Sequence, residues 1–96
     1  MIQLVEVSKL ALKQLRKAPP HVAVKLLAWV DDVQTRGLEE VRKVPGYNDH
    51  PLKGPLAGKR AIRLSLHWRA VYSVKKTRDY PIIEFVAVEE VHPHGY

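Results

Sequence analysis

The hydrophobic and polar positions change period along the chain, and the change divides it into helices and strands. From Ile62 onward apolar residues fall at every second position. Ile62, Leu64 and Leu66 stand against Arg63 and Ser65, then Trp68, Ala70, Tyr72 and Val74 against Arg69, Ser73 and Lys75. A period of two means strands with one apolar and one polar face, and predicts an antiparallel pair, Lys59 to Leu66 and Trp68 to Lys76, turning near His67. The run Ile82 to Val91 is apolar on both faces as far as Val88 apart from Glu84, the pattern of a buried, central strand.

Upstream the pattern is mostly helical. Ile2 to Val7 reads as a first strand, and Ser8 is placed to cap a helix over Lys9 to Ala18 with Leu12 and Leu15 inward, closed by Pro19-Pro20. A second helix runs from Pro20 to about Arg36 with Ala23, Leu26, Leu27, Val30 and Val33 as its buried stripe and Gly37 as its cap. Leu38 to Val44 adds a turn or two of helix before Pro45-Gly46. Tyr47 to Gly58, rich in Gly, Pro, Asn and Asp, is a loop. The order β-α-α-β-β-β predicts an α+β fold, an antiparallel sheet with two N-terminal helices packed on one face.

Composition narrows the class. Ninety-six residues, 46% of them hydrophobic and 27% charged, suit one small domain over 1–96. No apolar run approaches a membrane span and the N-terminus lacks a signal-peptide core. With no cysteine, disulfides and Cys-based zinc sites are excluded and a cytoplasmic location is expected. The formal charge of +6 points to a polyanionic partner. That charge is concentrated: Lys53 to Arg78 holds eight Lys and Arg residues and no acid, with Asp49 and Asp79 just outside.

The element order, the loop phrase HPLKG (His50 to Gly54), the hairpin phrases IRL (Ile62 to Leu64) and WRAVY (Trp68 to Tyr72), and the ending VHPHGY (Val91 to Tyr96) together resemble the RelE/ParE superfamily of bacterial type II toxins. The ending is most similar to that of HigB-like and YoeB-like mRNA interferases. The resemblance implies a ribosome-dependent endoribonuclease that cuts mRNA on the 70S ribosome. It also implies neutralisation by a cognate antitoxin in a hetero-oligomeric complex.

The residues supply chemistry to match. Attack of a ribose 2′-oxygen on the adjacent phosphorus needs a base, an acid and fixed cations, and no cofactor. Histidine serves either proton role near neutrality, and arginine matches phosphate oxygens with forked donors. The resemblance puts His94 in proton transfer, Tyr96 in base stacking or proton transfer, and Arg63 and Arg69 on the phosphate; Arg69 bracing the sheet through an ion pair is the competing reading. The resemblance to some HigB-like members makes His50 a candidate second acid or base, whereas the residues alone read it as an ordinary loop histidine. Lys53, Lys59, Arg60 and His92 are candidate RNA contacts, each with a solvated surface role as the plainer alternative. A nitrogen-rich metal site from His92, His94 and His50 or His67 is disfavoured, since no cysteine or well-placed carboxylate joins it. Trp68 and Tyr72 share the apolar parity and are expected in the core. Tyr47 is expected free to stack, and Trp29 at the helix edge or against the antitoxin. The rival functions are a ParE-like gyrase inhibitor, which needs no proton-transfer residue, and an RNA-binding domain that never cleaves.

Overall fold

The computed structural model describes residues 1–93. Its elements are β1 (Val5–Val7), α1 (Lys9–Lys17), α2 (Pro20–Arg36), α3 (Leu38–Val41), β2 (His50–Pro51), β3 (Arg60–Arg63), β4 (Trp68–Lys76) and β5 (Glu84–Pro93), with single 3-10 turns at Pro45–Tyr47 and Gly54–Leu56. The sheet order is β1-β5-β4-β3-β2. Its β2-β3-β4-β5 part is antiparallel, whereas β1 runs parallel to β5 with Val5, Glu6 and Val7 opposite Val86, Ala87 and Val88. The sheet is therefore mixed rather than wholly antiparallel. The inward-facing side chains of the helices join those of one sheet face in a single buried cluster, which leaves the other face open.

The helices form where expected but turn differently. Ser8 caps α1 through its hydroxyl, which accepts from Ala11 N–H at 3.0 Å. Ala11 and Leu15 face inward, whereas Leu12 is exposed. On α2 the buried stripe is Val22, Leu26, Trp29 and Val33, and Leu27 points outward. Both stripes have helical spacing, and the larger indole wins the interior because it buries the most apolar area. Trp29 is fully buried, its ring 5.1 Å from that of Tyr72, so neither a helix-edge place nor a partner contact describes it. Gly37 ends α2 at φ +88, and a Cβ there would lie 2.6 Å from Met1 Cγ. Any larger residue is strained there by the backbone, while the exposed Met1 side chain is free to move aside.

Strand ends differ as well. β1 is confined to Val5–Val7, although Val86 N–H still reaches Leu4 C=O at 2.8 Å. β3 stops at Arg63 because the N–H groups of Leu64 and Ser65 both turn back to Trp68 C=O. Leu66, expected inward, is 70% exposed on that turn. Ile82 and Ile83 are exposed ahead of β5, which is an interior strand but is buried on one face only.

A β-bulge in β5 sets the parity of its end. Val71 pairs with Glu90 and Tyr72 with Val88, leaving Glu89 as the extra residue. Val88 and Val91, three apart, are consequently both in the core. Where β1 ends, α1 takes over the edge of β5: Ser8 Oγ donates to Glu89 C=O at 2.9 Å and Gln14 Oε1 accepts Val91 N–H at 2.7 Å. Backbone groups that a longer β1 would satisfy are thereby paired.

Candidate active site at the hairpin end of the sheet

Register brings the candidate residues into one row. Arg63 on β3 lies opposite Arg69 on β4, and Arg69 lies opposite His92 on β5. Strand alternation turns all three away from the helices, because their neighbours Ile62, Ala70 and Val91 are in the core. Two arginines directly opposite each other repel. Among the described residues neither has an acidic partner, so the ion-pair bracing considered for Arg69 is not found there. Its Nε is buried and has no hydrogen-bond partner among the described residues. Such a donor gains substantially when an acceptor arrives.

A pocket of about 90 Å³ opens beside this row, lined by Asn48, His50, Ile62, Arg63, Ser65, Leu66, Trp68 and Arg69. His50 enters from β2, which pairs with Ala61 of β3. Its Nδ1 lies 2.7 Å from Asn48 C=O. A carbonyl only accepts, so Nδ1 carries a proton, and Nε2 is left as the acceptor whenever the ring is neutral. Asn48 holds the left-handed conformation, φ 47, that this turn requires. Trp68 is half-buried, packing on the core and lining the pocket at once.

His92, with Nδ1 2.9 Å from Pro93 C=O, is in the row but does not line the pocket. Lys53 is exposed in the loop before β3. His94 and Tyr96 lie outside the described residues. Pro93, the last described residue, pairs with Trp68 and so sits at the hairpin end of the sheet, beside the arginines.

Two of the expected RNA contacts are committed elsewhere. Lys59 Nζ contacts Glu89 Oε1 at 2.6 Å; the second Glu89 oxygen accepts from Ser73 Oγ and has Lys75 Nζ at 3.9 Å. Burial of Glu89 works to raise its carboxyl pKa, but Lys59, Ser73 and Lys75 together hold it below the ordinary value. Arg60 alternates to the helix side and donates from Nε to Asp49 Oδ1 at 2.6 Å, and the Asp49 side chain is only 1% exposed. Asp49 also accepts from Tyr72 Oη, which in turn accepts from Arg42 Nε at 3.4 Å. Burial first, and the Asp49 carboxylate second, push the Tyr72 phenol up to about 12. Tyr47 is likewise buried, with its hydroxyl on Asp32 at 2.9 Å, and is not free to stack.

Asp49 and Glu89 are the functional neighbours that the pattern of the chain did not reveal as such. Asp49 precedes the HPLKG phrase by sequence and Glu89 is remote from the basic stretch; only pairing of strands brings either to its cation. Among the described residues no three His, Asp or Glu side chains converge as metal ligands would, and no helix is long and apolar enough to cross a membrane.

Against solved structures, the chain is similar to YafQ from E. coli (TM-score 0.68, 20% identity, covering 93% of this chain and 90% of that one). It is similar to a YoeB/ParE toxin from Agrobacterium tumefaciens (TM-score 0.69, 15% identity, 96% and 99% covered). It is also similar to the archaeal RelE of a RelE-RelB complex from Pyrococcus horikoshii (TM-score 0.68, 20% identity, 99% and 98% covered). No protein-family model and no curated protein sequence matches it. The chain therefore adopts the fold of the RelE/ParE toxins over nearly all of its length.

Proposed function

We propose that this chain is a type II toxin acting as a ribosome-dependent mRNA endoribonuclease, with a cognate antitoxin as its inhibitor. The observation that carries the reading is the convergence of His50, Arg63 and Arg69 on one pocket, two of them like charges held opposite each other with no acid between. Repulsion of that kind is relieved by an anion, and a scissile phosphate is the anion that the neighbouring imidazole would serve.

In the proposed reaction His50 Nε2 takes the proton of the 2′-hydroxyl as the oxygen attacks phosphorus. Arg63 and Arg69 stabilise the charge that grows on the phosphoryl oxygens. The bond to the 5′-oxygen breaks, and His94 supplies the proton that this leaving group needs. The products are a 2′,3′-cyclic phosphate and a free 5′-hydroxyl. Tyr96 stacks on a flanking base, and Lys53 and His92 hold neighbouring backbone. Lys59 and Arg60 are given structural roles instead.

The fold supports an antitoxin partner, since the similar archaeal RelE is found in complex with RelB. An acidic segment would complement the +6 charge. The deciding experiment is primer extension on mRNA from cells briefly expressing the wild-type chain or a His94→Ala variant. In-frame stops present in the first and missing in the second are expected. Intact mRNA with altered DNA supercoiling would select gyrase inhibition, a reading the likeness to a YoeB/ParE toxin keeps in view.

A further inference from the structure

We infer that Asp49 is a positioning residue, whose anchorage to Arg60 and Tyr72 fixes His50 in the tautomer and orientation that make Nε2 a proton acceptor in the pocket. The inference rests on the reading of the pocket as an RNA-cleaving site and adds to it the device that holds the base.

His50 lies at the end of a loop, on a strand of two residues. A strand that short fixes a backbone poorly, and loops owe their geometry to what ties them down. Here the tie is the residue immediately before the histidine. The Asp49 side chain is 1% exposed and spends both carboxylate oxygens on partners from two strands: Arg60 of β3 and Tyr72 of β4. Tyr72 is itself fully buried and tilted against Trp29, so the anchor reaches the centre of the core. Arg42, just past α3, completes the network from the helical side.

A buried carboxylate bound this way cannot turn without leaving a guanidinium and a phenol unsatisfied. With Asp49 held, the backbone on either side of it is held too. Asn48 keeps the left-handed conformation that aims its carbonyl at His50 Nδ1, 2.7 Å away. That carbonyl sets the tautomer, as the partner of one imidazole nitrogen sets the role of the other. The chain of cause runs from core to Tyr72, to Asp49, to Asn48, to His50. Tyr72 and Asp49 lie outside the pocket, and Asn48 and His50 line it.

The test uses the full chain with 15N-labelled histidine, near pH 8 where imidazole is neutral. Long-range nitrogen–proton correlation spectra report which ring nitrogen is protonated, and His50 is assigned by its loss in His50→Gln. Wild type should show Nδ1–H for His50. In Asp49→Asn and in Tyr72→Phe the signal should move toward the Nε2–H form that free imidazole prefers. Cleavage of ribosome-bound mRNA at saturating protein should fall on the order of 10²-fold in Asp49→Asn, while the concentration for half-maximal rate stays within about twofold. Asp49→Glu should recover part of the rate. Tyr72→Phe keeps the core shape and carries the test if Asp49→Asn does not fold. A folded variant of either kind with the wild-type His50 spectrum overturns the inference, whatever its rate. Should the wild type cleave no RNA, the functional reading fails, and the tautomer spectra still decide the positioning.

Discussion

Arg60 and Arg63 are three residues apart on one strand and lead opposite lives. Arg60 faces the helices and is bonded to a carboxylate that is almost wholly buried; Arg63 faces outward, opposite a second arginine, with no acid beside it among the described residues. Lys59 adds a third case, on the open face yet held by Glu89. A basic strand is thus not a uniform cationic surface. Strand parity and partners from distant parts of the chain divide its charges into those that hold the fold and those left for a ligand.

That division makes its largest prediction at the unpaired pair. Arg63→Ala and Arg69→Ala should each lower the single-turnover rate of mRNA cleavage by about 10²- to 10³-fold. Their thermal midpoints should hold or rise, because each removes a cross-strand repulsion. A collapse of the fold in either variant would erase the distinction from Arg60.

Arg60→Ala should do the reverse. Removing one partner of a largely buried pair strands Asp49 and costs about 3 kcal/mol in denaturant unfolding, with the RNA affinity of the folded fraction unchanged. A weakened affinity at full stability would move Arg60 to the other class.

Two pH dependences sharpen the paired side. The Tyr72 phenol titrates higher in the folded chain, about 12 against 10, so the stability it adds is complete below pH 10 and is lost as pH rises through 12. Tyr72→Phe should flatten that alkaline loss in unfolding curves. Glu89 is depressed in the folded chain, so its contribution is present above the ordinary 4.5 and vanishes as pH falls through the folded value. Glu89→Gln should therefore be relatively less harmful in acid than at neutrality. The smallest effect belongs to Lys53: Lys53→Ala should reduce the salt slope of RNA binding by roughly 0.7, one phosphate on a single strand.

Much of this was legible in the sequence. The element order apart from the two-residue β2, which lies within the expected loop, follows from period and punctuation, as do the Ser8 cap, the extent of α2 and the whole of β4. So does the place of Arg63 and Arg69, since hairpin register follows from two alternating runs and a short turn. The rotation of the helices was not legible. Leu27 and Trp29 both fit a helical stripe, and only the opposing Tyr72 ring decides between them. The parallel pairing of β1 and the burial of Tyr47 depend on contacts between segments far apart in sequence, as do the carboxylates that claim Lys59 and Arg60. Counting acids within the basic stretch therefore overstated its free charge.

The irregularity in the last strand has a wider consequence. Because the sheet absorbs one surplus residue at Glu89 without moving Val88 or Val91 from the interior, the outer surface gains an anion while the packing is left as it was. Insertions of this sort offer a protein a way to retune how strongly one side attracts polyanions, independently of how well it folds. Removing Glu89 altogether would restore simple alternation with the same valines inside, and would release two lysines onto the cationic side.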